Sequence, residues 1–394
     1  MKTIINNARV ILPDNILENG FVAIEDGKID EVGQGCKNNE ADTVIDAKGN
    51  YLAPGFIDLH THGAGGHDFM DNTVEAYLGV AETHARYGTT ALLPTTLASS
   101  NEELYKTLET YKIANPLNKK GASFLGLHLE GPYFAYEQKG AQDPKYLRNP
   151  EPDEYNAILD FSDDIVRWSL APELPGGLEF GRALKSRNIL ASIAHTNAIY
   201  EEIEDAYKCG FTHVTHLYSG MSTVTRKRTF RYAGAVEAAY LLDDMTVEII
   251  ADGVHLPKPL LQFAYKFKGA DKTALCTDSM RGAGMPPGEY MMGSLTNGQK
   301  VVVEDGVAKL LDRSCFAGSV ATTDRLVRTM VQIADVPLTD AVKMMTLTPA
   351  RIIGVDKSKG SIQTAKDADL VIFDDNINIL TTIINGNVVH SIKL

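Results

Sequence analysis

The chain has 394 residues, of which 44% are hydrophobic and 23% are charged, and this composition excludes extensive intrinsic disorder. The length suits one large domain with a small one, or two ordinary domains. A formal net charge of -13 excludes nucleic acid and anionic membrane surfaces as the main partners, because both require a basic protein surface.

Four cysteines are spread along the chain without a CxxC pair, at Cys36, Cys209, Cys276 and Cys315. This spacing is typical of neither a disulfide framework nor a zinc ribbon, and it favours a reducing compartment. The opening MKTIINNARVILP lacks the basic and long apolar regions of a signal peptide. Because no apolar run approaches the ~20 residues of a membrane span, we expect a soluble, cytoplasmic protein.

Both ends of the chain consist of short strand patterns with tight turns. FVAIEDGKIDEVG places Asp26-Gly27 between two alternating arms, and TTIINGNVVH places Asn385-Gly386 in the same way, which is the signature of a hairpin. Neither end is long enough to bury its own core. We therefore predict one small β-sandwich domain built from residues 1–53 and 355–394.

Between these ends, apolar runs alternate with stretches of helical period, which is typical of a parallel α/β architecture. Stretches such as TVEAYLGVAETHARYG, GLEFGRALKSRN and YEEIEDAYKCG each end near a Gly or Asn that can stop a helix. The eight predicted strands are FIDLHTH (56–62), TTALLPTT (89–96), FLGLHLEGP (124–132), IVRWSLAPE (165–173), ILASIAHTN (189–197), THVTHLYSG (212–220), TVEIIADGVH (246–255) and TALCTDSM (273–280). This count predicts a TIM-type (β/α)8 barrel over residues 54–354.

Histidines and acids stand at the carboxyl ends of six of these strands, the end that carries the active site in such barrels. In chain order they are His60 and His62, Glu130, His195, His216, Asp252 and His255, and Asp278. Imidazole and carboxylate ligands suit zinc and similar ions, and the absence of thiolates favours a hydrolytic site over a structural one. The pattern predicts a divalent metal site with a general base.

His60 and His62 are the first of these groups in the chain. Side chains two residues apart on a strand point to the same side, so both imidazoles can reach one ion. An isolated HxH pair also occurs by chance, as two histidines at the end of a strand that bind no metal. The number and type of candidate ligands on the other strands favour metal binding here.

The segments PGFIDLHTHG, HLEGP, AHTNAIY, THLYSGM, ADGVH, CTDSM and FAGS, in this order, resemble the amidohydrolase superfamily, and within it the N-acetylglucosamine-6-phosphate deacetylase family. The resemblance spans nearly the whole chain. Another branch of the superfamily bridges two metals with a carboxylated lysine at the end of strand four. Here that strand ends WSLAPE, so the resemblance assigns the bridging role to Glu130 if two ions bind.

The resemblance implies hydrolysis of the acetamide of N-acetylglucosamine-6-phosphate to glucosamine-6-phosphate and acetate. Asp278 would be the general base that takes the proton of a metal-bound water, so that hydroxide attacks, and then the general acid that delivers this proton to the leaving amine. The implied ligands of one or two divalent ions, expected to be zinc, are His60, His62, Glu130, His195 and His216.

Two segments depart from the family pattern. In KGAQ, Ala141 is followed by Gln142, where the family has a histidine that polarises the substrate carbonyl. An amide can donate a hydrogen bond but carries no charge, so we expect a changed pH profile or a shifted substrate. In the strand-six loop, Ser219-Gly220-Met221 replaces a sequence close to NAM, which binds the substrate phosphate in the family.

A basic stretch, TVTRKRTFR, follows this loop and contains Arg226, Lys227, Arg228 and Arg231. In the family an arginine near this point comes from the neighbouring subunit, which implies a homodimer. We predict that Arg228 binds phosphate together with the backbone of Ser219 and Gly220, and that His255 helps to hold the sugar or the phosphate. A solvated basic loop is the alternative.

Other polar residues near the strand ends are weaker candidates for a role in the site. We predict that His213 packs outward and that Asp58 makes a supporting hydrogen bond, whereas His128 either supports the ligands or simply packs. Two alternatives to the main function are open: deacetylation of another N-acyl amino sugar, such as N-acetylgalactosamine-6-phosphate, and an inactive barrel that serves as a binding protein.

Overall fold

The computed structural model of the protein describes residues 1–37 and 41–392. Its strands, in chain order, are β1 (Lys2–Ile11), β2 (Ile16–Glu25), β3 (Lys28–Gln34), β4 (Thr43–Asp46), β5 (Tyr51–Pro54), β6 (Phe56–Thr61), β7 (Gly63–Ala64), β8 (His67–Asp68), β9 (Thr89–Pro94), β10 (Ser123–Phe124), β11 (Leu127–Glu130), β12 (Ile165–Leu170), β13 (Leu190–Ile193), β14 (Phe211–Val214), β15 (Thr225–Lys227), β16 (Phe230–Tyr232), β17 (Thr246–Ile250), β18 (Thr273–Cys276), β19 (Gly288–Met292), β20 (Gln299–Glu304), β21 (Val307–Leu310), β22 (Leu370–Phe373), β23 (Ile379–Ile384) and β24 (Asn387–Ser391).

Helices follow most of the strands in the middle of the chain. They are α1 (Val74–Arg86), α2 (Asn101–Ala114), α3 (Pro152–Phe161), α4 (Gly177–Ser186), α5 (Tyr200–Lys208), α6 (Ala235–Leu241), α7 (Lys258–Lys268), α8 (Thr323–Gln332), α9 (Leu338–Met344) and α10 (Leu347–Ile352). Single 3-10 turns occur at Phe69–Asp71, Asn115–Leu117, Tyr136–Gln138 and Pro144–Tyr146. Within the described ranges, no helix has the length and apolarity to cross a bilayer.

Strands from both ends of the chain pair in one sheet, in the order β24-β23-β22-β5-β1-β2-β3, with β4 on β1. β5 pairs in parallel with β1 and antiparallel with β22, so it joins the two chain ends. A separate apolar cluster that includes Ile5, Val22, Leu52, Leu370 and Ile383 packs this sheet. Residues 38–40 and 393–394, which fall in the predicted terminal domain, lie outside the described residues.

The middle of the chain forms a curled parallel sheet covered by helices. β6, β9 and β10 form one part, and β11-β12-β13-β14-β17-β18 form the other. Isolated parallel bridges between Thr95 and His128, and between Thr61 and Ser279, link the two parts. Because all these strands run in the same direction, their carboxyl ends lie at one edge.

The strands are shorter than the sequence pattern predicts, and the difference lies at their carboxyl ends. β13 stops at Ile193 and β14 stops at Val214, before the histidines that follow them. The predicted strand 124–132 is divided into β10 and β11 at Gly126, which has a φ of 118°. Glycine adopts this positive-φ conformation without strain, and the conformation interrupts the regular hydrogen bonding between strands.

The basic stretch is an exposed hairpin rather than an irregular loop. β15 and β16 pair antiparallel, with Arg226 opposite Arg231, and the connecting turn begins at Arg228. Arg228 has a φ of 56°. The hairpin projects from the segment that follows β14, so it lies on the side of the sheet that carries the candidate site.

Candidate metal centre and active site

The carboxylate of Glu130, directly at the end of β11, lies at the centre of the site. Its Oε1 is 3.0 Å from His216 Nε2, 3.4 Å from His195 Nε2 and 3.6 Å from His60 Nε2. Its Oε2 is 3.4 Å from His62 Nε2. The structure thus brings together all five predicted ligands, in two groups that share Glu130.

Asp278 adds a second carboxylate beside the HxH pair. Its Oδ1 is 3.2 Å from His62 Nε2 and 3.5 Å from His60 Nε2. The two imidazole Nε2 atoms are themselves 3.3 Å apart. The predicted base therefore lies at the same point as the predicted ligands.

Backbone conformation aims three of these side chains into the site. His195, His216 and Asp278 have φ values of 45°, 29° and 46°, in the left-handed region that non-glycine residues rarely occupy. Such conformations persist only where the surrounding structure enforces them, and they cluster at functional sites. Because these conformations are not extended, they also explain why β13, β14 and β18 end before the residues that point into the site.

Three of the four imidazoles are oriented by a hydrogen bond at the ring nitrogen that faces away from Glu130. These bonds join His60 Nδ1 to Glu248 Oε1 (2.9 Å), His62 Nδ1 to Thr95 O (3.2 Å) and His195 Nδ1 to Gln138 O (2.7 Å). A histidine that donates from Nδ1 presents the lone pair of Nε2, as a metal ligand must. Within the described residues, His216 Nδ1 has no hydrogen-bond partner.

The electrostatics of the centre favour a cation. Burial raises the pKa of the Glu130 carboxyl, but attraction to His60 and hydrogen bonds from His195 and His216 outweigh burial and hold it well below its usual range. Burial lowers the pKa of His60, but Asp278 and Glu130 raise it well above its ordinary value. Two buried carboxylates thus demand positive charge, which a divalent ion supplies while the imidazoles stay neutral.

A cavity of about 320 Å³ opens onto this centre. Beyond the ligands and Asp278, its lining includes Ala141, Gln142, Tyr218, Ser219, Gly220, His255, Met280, Met292, Cys315 and Phe316. Five of the six predicted substrate-binding residues therefore face one space. Arg228 is outside this lining, on the exposed hairpin.

Several of the predicted substrate-binding residues already form hydrogen bonds within the protein. Gln142 donates from Nε2 to Glu130 Oε2 (2.8 Å) and accepts from the Ala98 N–H (2.8 Å), which leaves one amide hydrogen free. The Ser219 N–H donates to His216 O (2.9 Å), so it is engaged in the turn. His255 Nδ1 bonds Asp252 Oδ2 (2.8 Å), so the Nε2 side of its ring is the part open to the cavity.

The supporting residues correct one prediction and extend the site. His213 does not pack outward: it is fully buried, with Nε2 3.5 Å from Glu248 Oε2. Asp58 is a supporting group, since it accepts from Thr277 Oγ1 (2.5 Å) and from the His60 N–H (3.3 Å). His128 Nε2 bonds Ser169 Oγ (2.6 Å), and no cluster of possible metal ligands in the described ranges includes it.

Sequence reasoning missed Glu248 and Arg167, which form a fully buried ion pair below the metal centre. The available signal was a charged residue in the middle of an apolar strand, in IVRWSL and in TVEIIA. Such a residue must find a buried partner, because an unpaired charge in a core is too costly. The sequence does not say which partner it finds.

Comparison with known proteins agrees with this geometry. The amidohydrolase family matches residues 51–389. N-Acetylglucosamine-6-phosphate deacetylase of Bacillus subtilis (strain 168) is 32% identical over 98% of this chain and 96% of its own length. N-Acetylgalactosamine-6-phosphate deacetylase of Escherichia coli O157:H7 is 32% identical over 87% of this chain and 89% of its own.

A solved structure extends the likeness to the fold. The crystal structure of N-acetylglucosamine-6-phosphate deacetylase from Pasteurella multocida superposes with a TM-score of 0.91, at 30% identity, over 98% of this chain and 99% of that one. The motifs, the parallel sheet and the shared match over nearly the whole length agree, and the chain therefore belongs to the amidohydrolase family.

Proposed function

We propose that the protein is a metal-dependent deacetylase that hydrolyses N-acetylglucosamine-6-phosphate to glucosamine-6-phosphate and acetate. The observation that carries this proposal is that the five predicted ligands form two groups joined at Glu130, and that four of them and Asp278 line one cavity. The relatives named above act, by their names, on phosphorylated N-acetyl amino sugars. A binding protein without activity would have no need to maintain this complete constellation with three strained backbone positions.

The ligands fit one or two divalent ions. Glu130, His195 and His216 would hold one ion, and His60 with His62 a second that shares Glu130; zinc is the ion we expect. When bound, a divalent ion supplies Lewis acidity, which polarises a carbonyl and makes water a stronger nucleophile.

Asp278 would move the proton in this reaction. Its carboxylate takes a proton from the attacking water as the new C–O bond forms at the amide carbon. It then delivers that proton to the amide nitrogen as the C–N bond breaks, because an amine leaves only when protonated. The free N–H of Gln142 would donate to the amide oxygen, as a neutral group that does not titrate.

The substrate's phosphate would lie toward the strand-six loop and the basic hairpin. Arg226 faces Arg231 across the hairpin, an arrangement of like charges that costs free energy unless an anion or an acidic surface lies nearby. Gly220 would offer its backbone and His255 its ring to the sugar phosphate, with Ser219 contributing its side chain. Because Arg228 lies outside the cavity of its own chain, we propose a homodimer in which the hairpin reaches the neighbour's site.

We extend the proposal to architecture and compartment. The eight parallel strands would close into one (β/α)8 barrel over residues 54–354, with the terminal sheet folding into a β-sandwich domain of residues 1–53 and 355–394. The two parallel bridges support closure. The four free thiols support a reducing compartment such as the cytoplasm.

The test is acetate release by zinc-loaded protein from N-acetylglucosamine-6-phosphate, with Asp278→Asn as the matched blank. We expect release from this substrate and slow release from unphosphorylated N-acetylglucosamine. Equal rates on both sugars would refute the phosphate assignment. No release from N-acetylglucosamine-6-phosphate or from its galactosamine epimer, with zinc bound, would refute the deacetylase proposal.

N-Acetylgalactosamine-6-phosphate is the second candidate substrate. The relative that acts on it matches this chain at the same 32% identity as its glucosamine counterpart. Gln142, in place of the family histidine, also marks a site that departs from the usual pattern. Adding this epimer to the assay decides between the two, through the ratio of their kcat/KM values.

A further inference from the structure

A buried ion pair lies directly under the metal centre. Arg167 on β12 and Glu248 on β17 have no exposed surface. The guanidinium binds the carboxylate at both oxygens, with Nη1 2.7 Å from Oε2 and Nη2 2.8 Å from Oε1. Neither residue lines the cavity, so neither can touch substrate.

Every donor of Arg167 is used, which fixes the guanidinium in place. In addition to the two bonds to Glu248, it donates to Ser192 Oγ (3.1 Å), Leu59 O (3.0 Å) and Thr215 Oγ1 (2.9 Å). Together with Glu248, these partners come from β6, β13 and β17 and from the residue that follows β14. The ion pair is therefore held more rigidly than a single contact would allow.

Glu248 contacts two metal ligands from this fixed position. Its Oε1 is 2.9 Å from His60 Nδ1 and 3.3 Å from the backbone nitrogen of His216. An ion-paired carboxylate has only acceptors, so His60 must place its hydrogen on Nδ1 and present the lone pair of Nε2 to the centre. The second contact holds the backbone of His216, whose φ of 29° needs such support.

Stability alone does not explain this arrangement. A buried ion pair contributes little more to stability than apolar residues of the same volume, and often less. What apolar residues cannot do is accept a hydrogen bond from His60. The contacts with one ligand on β6 and another just beyond β14 distinguish this pair from an ordinary core contact.

We propose that Glu248, held by Arg167, is a positioning residue that sets the tautomer of His60 and the backbone of His216, and so prepares both halves of the metal centre. This inference rests on the metal centre of the proposed function. It assigns no chemical step to either residue.

The test compares zinc affinity, measured by competition with a chromophoric chelator, in wild type, Glu248→Gln and Asp369→Asn. Asp369 is the matched control, because it is a buried acid directly before β22, and its side chain bonds Lys359 (2.5 Å) and the Asn385 N–H instead of any predicted ligand. In Glu248→Gln, Arg167 holds the amide oxygen and the NH2 group faces His60 Nδ1. We expect zinc affinity to fall about 10- to 100-fold, the usual effect of removing a ligand's hydrogen-bond partner, and to stay unchanged in Asp369→Asn.

Imidazole ¹⁵N shifts of histidine-labelled, zinc-loaded wild type provide a second readout that needs no folded variant. We expect the His60 hydrogen on Nδ1; a hydrogen on Nε2 would overturn the inference. Glu248→Gln that binds zinc as tightly as wild type would overturn it too, while leaving the metal centre intact. A wild type that binds no zinc would instead overturn the metal centre, and the positioning role with it.

Discussion

Replacing Asp278 separates its chemical role from its structural one. The residue has a φ of 46°, a left-handed conformation that asparagine adopts readily and alanine does not. Asparagine has nearly the same size but cannot accept a proton from water. We therefore expect Asp278→Asn to fold and bind zinc normally while losing activity, because the ligand set of Glu130, His195 and His216 is unchanged.

The magnitudes follow from these two roles. Loss of a general base typically costs about 10²- to 10⁴-fold in rate, which corresponds to about 2.7–5.5 kcal/mol of activation free energy. Asp278→Ala should lose the same activity and also destabilise the fold by about 1–2 kcal/mol, because a Cβ without a compensating polar group is strained at positive φ. The asparagine variant should be destabilised less than the alanine variant, because asparagine tolerates positive φ.

The assay has three parts: acetate release, zinc content of the dialysed protein, and urea unfolding followed by circular dichroism. Residual activity of Asp278→Asn above about a tenth of wild type, at full zinc content, would refute the proton-transfer role, since a general base contributes at least about 10²-fold. Equal destabilisation by asparagine and alanine would refute the backbone reasoning.

Three further predictions concern other parts of the molecule. Burial lowers the pKa of His84 from 6.5 to about 4, so between these pH values the unfolded chain binds a proton that the folded protein does not. The free energy of unfolding therefore falls as the pH drops from 6.5 toward 4. In urea unfolding at pH 5, His84→Gln should remove about 2 kcal/mol of this loss. Trp168, the only tryptophan in the sequence, donates to the carbonyl of Gly131 (2.8 Å), which follows the predicted ligand Glu130. Zinc added to metal-free protein should therefore change the tryptophan fluorescence. An unchanged spectrum would contradict a link between the metal centre and Trp168. Arg228→Gln should raise KM for the phosphorylated sugar by about 10- to 100-fold, because a hydrogen bond to a charged group contributes about 1.5–3 kcal/mol. Turnover of the unphosphorylated sugar should stay unchanged, and a similar loss on both sugars would argue against phosphate binding.

The sequence allowed the ligands to be predicted because each one follows a recognisable apolar run. HxH, HLEGP and CTDSM mark strand ends, and parallel strands bring their ends to one edge. The lengths of the strands could not be predicted. His195 and His216 leave the extended conformation because the site requires it, and local sequence preference does not reveal this.

Contacts between distant buried groups were also beyond the sequence. Arg167 and Glu248 stand out as charges within apolar strands, but only the folded structure shows that they meet, and that His213 lies beside Glu248. In the same way, the sequence identifies Gln142 as a departure from the family. It does not reveal that the Gln142 side chain accepts a hydrogen bond from the Ala98 N–H, because no motif marks the segment around Ala98.

The pairing of β5 with β22 bears on how the chain is made. Tyr51–Pro54 leaves the ribosome long before its partner strand Leu370–Phe373, and at usual synthesis rates the interval is roughly 15–60 s. Throughout that time β5 is an uncovered edge that lies immediately before β6, the strand that leads to the HxH pair. Newly made chains are therefore exposed to wrong strand pairing at this edge until the last strands emerge, and aggregation at this edge is the expected route by which protein is lost during synthesis.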